Sequence, residues 1–257
     1  MTAMDTRHLM APSARDEFSR YEFKYLLNAE QRSLVEDEIA NFMVFDGHVH
    51  DELDNSYYVR SLYFDNSDAS HYYEKIDGTR VRRKFRIRTY DRKISEGLPI
   101  FLEEKGRFIE RTFKNRIRLS PEDLQLFYNA EKHDQLLGRY PDEDIVERFV
   151  FASLRKRITP QVVVDYIRRP YVSNYDLNFR VTFDNALNAT CAHTLFPELD
   201  ISHWRLAEAG YTILEVKFHR RIPAWFHRII QSKNMRRLSI SKFCKGMEVC
   251  GLAVDLS

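Results

Sequence analysis

Lys84, Arg86 and Arg88 occupy alternate positions in the run Lys84-Phe85-Arg86-Ile87-Arg88-Thr89-Tyr90. In an extended strand, side chains alternate faces with period two. The three cations therefore share one face, and Phe85 and Ile87 share the other. The apolar face must go to a core, so the cations form a row on the opposite side. The pattern recurs in Thr112-Phe113-Lys114-Asn115-Arg116-Ile117-Arg118, in Phe179-Arg180-Val181-Thr182-Phe183 and in Leu214-Glu215-Val216-Lys217-Phe218. A sheet that repeatedly turns cations to one face is suited to holding an anion. Arginine fits phosphate best, because its planar fork bonds two oxygens at once.

Parity extends the set. Arg20, Glu22 and Lys24 share a face in one strand, and Glu103, Lys105 and Arg107 in another. Lys114, Arg116 and Arg118 follow, with Arg168, Arg180, Asp184, Glu215 and Lys217 from later strands. For any one cation a solvated face is the commoner outcome, and Arg116 and Arg118 read as surface residues. The joint pattern is what points to an anion site. Glu22, Glu103 and Glu215 each stand two residues before a lysine. A carboxylate so placed suits Mg²⁺ or Mn²⁺ shared with phosphate oxygens. An intrastrand ion pair explains the same spacing equally well.

Other chemistries lack their residues. The histidines have no metal-ligand spacing, the serines no nucleophile elbow, and eight glycines supply no phosphate-binding loop. A phosphate binder of this kind must use side-chain cations. Aromatics alternate to the face opposite the cations, which argues against nucleic acid, where stacking rings and cations share a surface.

The elements that would position these residues are mostly strands. Period-two patterns predict eight, over 17–27, 57–64, 81–91, 99–108, 111–119, 161–171, 178–185 and 211–219. Helices are predicted over 28–43 with Asn28 as N-cap, over 70–76, from Ser120-Pro121 to about His133, over 144–154 and over 223–232. The segment 238–246 reads as irregular. Strands with one apolar and one charged face belong to antiparallel sheets. Closing such a sheet removes its edges. The expected fold is α+β, mainly antiparallel β: a closed eight-stranded tunnel with peripheral helices. Residues 1–15 read as a disordered tail and 16–257 as a single domain.

Composition bounds the reading. Charged residues make up 30% of the 257, yet the formal net charge is only +2. A general polyanion coat is therefore excluded, and any basic site must be local. The three cysteines form neither a disulfide framework nor a zinc site. No apolar run is long enough for a transmembrane helix, so the expected location is cytoplasmic.

Taken together, these residues resemble the VTC (vacuolar transporter chaperone) polyphosphate polymerase domain, within the triphosphate tunnel metalloenzymes of CYTH-like fold. The resemblance runs from about Arg20 to Gly246. It is carried by Arg20-Tyr21-Glu22-Phe23-Lys24-Tyr25, Ser61-Leu62-Tyr63-Phe64-Asp65-Asn66, Phe85-Arg86-Ile87-Arg88-Thr89-Tyr90 and Phe101-Leu102-Glu103-Glu104-Lys105. Later pieces follow in family order: Phe113-Lys114, Tyr166-Ile167-Arg168, Arg180-Val181-Thr182-Phe183-Asp184, Leu214-Glu215-Val216-Lys217 and Ser241-Lys242-Phe243-Cys244-Lys245-Gly246. It implies an eight-stranded tunnel and transfer of the ATP γ-phosphate onto a growing polyphosphate chain, with Mn²⁺ or Mg²⁺. Arg86, Arg88, Lys105, Lys114, Arg168 and Arg180 would then be catalytic. Arg20, Lys24, Tyr166, Lys217, Ser241 and Lys242 would bind substrate, and Glu215, Glu22 and Glu103 the metal. Arg20 stands where the wider superfamily has the first glutamate of its Glu-x-Glu-x-Lys signature, which suits a polyphosphate reader. The implied partners are ATP, polyphosphate and a separate membrane protein, at the inner face of a membrane. A tripolyphosphatase or nucleoside triphosphatase using the same tunnel is one alternative. A non-catalytic polyphosphate or inositol-phosphate binding module is the other.

Overall fold

Ten strands and seven α-helices make up a computed structural model that describes residues 21–46, 53–108 and 111–255. Arg20 and the expected tail over 1–15 lie outside the described residues. The strands are β1 (Tyr21–Leu27), β2 (Met43–Phe45), β3 (Tyr57–Asp65), β4 (Val81–Thr89), β5 (Ile100–Phe108), β6 (Arg111–Leu119), β7 (Thr159–Ser173), β8 (Arg180–Cys191), β9 (Arg205–Leu206) and β10 (Thr212–Phe218). The helices are α1 (Ala29–Ile39), α2 (Ser70–Ile76), α3 (Leu124–Tyr128), α4 (His133–Arg139), α5 (Asp144–Lys156), α6 (Ala224–Ser232) and α7 (Lys242–Val249).

The strands form one antiparallel sheet in the order β1-β10-β8-β7-β3-β4-β5-β6, with β2 beside β7 and β9 beside β8. The sheet curls until its two ends approach: Lys105 of β5 reaches Glu22 of β1 at 3.2 Å. The expected closed barrel is corrected here, because the backbones of β1 and β6 do not pair. The edge of β1 is occupied instead by the segment before α7. Tyr25 bridges Arg237, and the Leu238 amide donates to the Lys24 carbonyl at 2.8 Å. Contact across the seam is therefore ionic.

The predicted alternation places the outer core. Phe85, Ile87, Leu102 and Val163 are buried beneath α3–α5 together with Phe149. Tyr25, Val181, Phe183, Leu214 and Val216 are buried beneath α1 and α6. Gly106 marks one close approach on this outer face: a Cβ there would meet Phe113 Cζ at 2.1 Å.

Three local expectations are corrected. Asn28 caps α1 through a capping box, but the helix ends at Ile39 because Met43–Phe45 pairs with Tyr171–Ser173 as β2. The helix expected from Ser120 to His133 breaks at extended Asn129, and Ser120 makes no side-chain cap. The segment expected to be irregular contains α7, capped by Ser241 Oγ accepting from the Cys244 amide at 3.3 Å. This helix lies on the inner face of the sheet. Phe243 and Met247 pack with Tyr63, Val164, Tyr166 and Ala189. A Cβ at Gly246 would lie 2.7 Å from Val164 Cγ2, so the helix comes as near as glycine allows. The inner face is thus apolar under α7 and charged elsewhere, not charged throughout. Among the described residues, no helix is long and apolar enough to cross a membrane.

Candidate functional site

The charged part of the inner face gathers side chains from seven strands and from α7. Lys24, Lys84, Arg86, Arg88, Lys105, Lys114, Arg168, Lys217 and Lys242 face, among the described residues, only four carboxylates: Glu22, Glu103, Asp184 and Glu215. Strand pairing aligns them. Arg86 is opposite Glu103, Lys84 opposite Lys105, and Lys105 opposite Lys114. Lys24 is opposite Glu215, and Glu22 opposite Lys217.

Two clusters result. In the first, Glu103 is fully buried. Arg86 Nε donates to its Oε2 at 2.7 Å, Lys114 Nζ lies 2.7 Å from Oε1, and Arg88 Nη1 lies 3.8 Å away. Burial alone would raise this carboxyl's pKa, but the three cations hold it far below the usual carboxylate range. Arg88 is held mainly by neutral groups: Nε donates to Ser61 Oγ at 3.0 Å and Nη2 to the Tyr166 hydroxyl at 3.2 Å. Its charge is oriented without being fully neutralised. Arg86 Nη1 likewise donates to the Tyr63 hydroxyl at 2.9 Å. Burial pushes the Tyr63 phenol up, yet Arg86, Arg88 and Lys84 outweigh it and bring the phenol down to about 7.

In the second cluster, Arg168 donates to both oxygens of Asp184, at 2.6 and 2.7 Å, and to Glu215 at 2.9 Å. Lys242 lies 2.5 Å from Asp184 and 2.8 Å from Glu215. Lys24 and Lys217 approach Glu215 at 3.4 and 3.7 Å. Burial opposes ionisation of Glu215, and Lys242, Arg168 and Lys24 reverse this, so its pKa falls well below normal. Tyr166 joins the clusters: its hydroxyl meets Arg88, and its ring lies 5.3 Å from Arg168 and 4.9 Å from Lys242.

Lys84 differs from the other lysines. Its ammonium has no carboxylate partner among the described residues. It lies 3.5 Å from Ser241 Oγ and 5.2 Å from the centre of the Phe243 ring. Burial, with Lys105 and Lys24 nearby, pulls it down to about 8.

The structure brings together most of the sequence-derived set: Lys24, Arg86, Arg88, Lys105, Lys114, Tyr166, Arg168, Lys217, Ser241 and Lys242, with Glu22, Glu103 and Glu215. Arg180 does not join them. It is half-exposed at the end of β8 and pairs with Asp46 at 3.3 Å. Arg116 and Arg118 are exposed. Asp184 shared the predicted face but was not assigned a role, and it proves to be the bidentate partner of Arg168. Ser61 and Tyr63 were also missed. Their signal was the same period-two spacing, with hydroxyls in place of charges.

The carboxylates differ in their fitness for a metal. Glu103 is fully buried among three cations, whereas the Glu22 side chain is a quarter exposed. Among the described residues, no three His, Cys, Asp or Glu side chains form a ready cage. Glu22 and Glu215 lie 3.2 and 3.4 Å from the same Lys24 ammonium. They offer hard oxygen donors around a point that already holds a cation. Such a pair fits Mg²⁺ or Mn²⁺ when substrate oxygens complete the shell.

Solved structures share this arrangement of strands. A candidate adenylate cyclase from Bacillus halodurans is 12% identical, with a TM-score of 0.50 over 86% of this chain and 93% of its own. The candidate adenylyl cyclase HpAC1 from Hippeastrum, described as having a dominant triphosphatase activity, is 12% identical, with a TM-score of 0.50 over 90% of this chain and 97% of its own. At that identity the likeness is one of fold alone. No curated protein matches the sequence. The family model described as the VTC domain matches residues 19–250, nearly the whole of the described sheet and its inner cluster, and the chain belongs to that family.

Proposed function

We propose that residues 16–257 act as one catalytic unit, a polyphosphate polymerase that transfers the γ-phosphate of ATP to the end of a polyphosphate chain. The observation that carries this reading is the excess of cations over carboxylates on the inner face. Phosphoryl transfer needs positioning and charge stabilisation more than a protein nucleophile. Arg86, Arg88, Lys105 and Lys114 would bind the transferring and acceptor phosphates, while Arg168, Lys24 and Lys242 orient the remainder. Arg180 would act at the end of the inner face. Each charge-assisted bond contributes roughly 1.5–3 kcal/mol. The acceptor is a terminal phosphate oxygen of the polymer: the new P–O bond forms as the bond to ADP breaks, and ADP leaves with the electron pair. Glu22 and Glu215 would hold Mn²⁺ or Mg²⁺, which supplies neutralisation of charge on the phosphate oxygens.

A water molecule in the acceptor's place turns the same site into a triphosphatase, and the activity stated for the Hippeastrum protein favours keeping this second reading. The test is incubation with ATP and Mn²⁺, resolving long polyphosphate from orthophosphate on a gel. Polyphosphate supports the polymerase. Orthophosphate alone assigns a hydrolase, and binding of polyphosphate without ATP turnover assigns a sensor.

A further inference from the structure

One surface outside the inner site combines exposed apolar tips with arginines that pair with no carboxylate among the described residues. The β7–β8 hairpin carries Tyr175 and Leu177, which are 81% and 73% exposed. Hydrogen bonds fix this turn. Ser173 Oγ accepts from the Tyr175 and Asp176 amides at 3.2 and 3.3 Å, and Asp176 Oδ1 accepts from the Asn178 amide at 2.9 Å. The two apolar side chains are therefore held out in water by an ordered loop.

Cations surround it. Two hollows of about 730 and 630 Å³ join the hairpin to the segment between β10 and α6. They share Asp176 and Arg221, and Arg220 and Arg228 line one each. None of these three arginines pairs with a carboxylate among the described residues. Strand register fixes the location. Lys217 is opposite Arg180, and Arg180 is opposite Val172, so the hairpin and the 219–223 segment leave the sheet at the same end.

We propose that this end of the sheet is a docking surface for an anionic phospholipid membrane. A free polyanion would satisfy the arginines but would leave Tyr175 and Leu177 in water. A bilayer satisfies both, because arginines meet the headgroups while the tip enters the interface. The inference does not depend on the chemistry of the inner face.

The test is co-sedimentation of the full chain with phosphatidylcholine vesicles, with and without phosphatidylglycerol. Binding is expected only with phosphatidylglycerol, and it weakens as salt is raised. Leu177→Asp should weaken it about tenfold by removing the buried side chain. Arg221→Glu with Arg228→Glu should weaken it by a similar factor or more. Far-UV circular dichroism and the melting temperature, measured on the same samples, should be unchanged in Leu177→Asp, which shows that the variant is folded. No binding to phosphatidylglycerol vesicles overturns the proposal. So does undiminished binding by Leu177→Asp, which would mean that the hairpin tip does not enter the bilayer.

Discussion

Lys114 Nζ lies 2.7 Å from Glu103 Oε1, yet its ammonium is easier to deprotonate than a free lysine. Burial is the largest cause. Glu103 opposes it, Arg86 and Arg88 add to it, and the result is a pKa pulled down to about 8. Lys84 is pulled to about the same value. Two lysines of the inner face therefore titrate where an ordinary lysine would stay charged.

Their titration predicts two opposite pH effects. A lysine whose folded pKa is depressed binds fewer protons in the folded state than in the unfolded state, between about 8 and 10. Stability of the free protein should rise with pH across that window. The lowered Tyr63 acts in the same direction above about 7. Phosphate affinity should fall over the same window, because the ligand needs charged lysines. Melting curves and tripolyphosphate calorimetry from pH 7 to 10 check this. Parallel trends would count against the assignment of these lysines as phosphate ligands.

Glu103 makes the second prediction. Replacing it by Gln leaves Arg86 and Lys114 without their carboxylate, and breaking a buried pair typically costs about 3–5 kcal/mol. The melting temperature should drop by roughly 2–4 °C for each kcal/mol lost. Tripolyphosphate should then restore more stability to Glu103→Gln than to the parent protein, since the anion takes the vacated place. Differential scanning fluorimetry with and without the ligand measures both shifts. Equal ligand shifts in the two proteins would exclude the inner cluster as the binding site.

How much of this was legible in the sequence follows from the range of each signal. The cation rows were legible because alternation is set by the pleat of a single strand, as for Lys84, Arg86 and Arg88. The outer core followed from the same rule through Phe85 and Ile87. The open seam was not legible: what pairs with β1 is decided by the distant residues Arg237 and Leu238. The helix α7 was missed because eight residues carry little periodicity, although Ser241 and the Phe243–Met247 spacing mark its start and its buried side. Asp184 stood on the right face, but only the fold brings Arg168 against it.

That pair makes the third prediction. Arg168→Lys keeps the charge but loses the two parallel hydrogen bonds to Asp184 and the bond to Glu215. A lysine cannot reproduce this fork. ATP turnover should fall by at least about tenfold, equivalent to 1.4 kcal/mol or more of lost positioning. Asp184→Asn should lower it as well, because Arg168 and Lys242 then lose a shared anchor. Steady-state rates on ATP with Mn²⁺ provide the measurement, and a wild-type rate in Arg168→Lys would remove this residue from the site.

Gly246 makes the last prediction, because it links packing to chemistry. An added Cβ would lie 2.7 Å from Val164 Cγ2, with Val162 and Ala189 behind it. The methyl group has no space unless α7 moves away from β7. Overpacking of this kind costs typically about 1–3 kcal/mol. The displacement is carried to Ser241 and Lys242 at the start of the same helix, and Lys242 bridges Asp184 and Glu215. Gly246→Ala should therefore lower both the melting temperature and tripolyphosphate affinity. Val164→Ala in the same chain opens the space that the new methyl group needs. The double variant should recover affinity beyond the sum of the single effects, and a double-mutant cycle read by calorimetry tests this coupling. Additive losses would mean that α7 does not transmit its packing to the inner cluster.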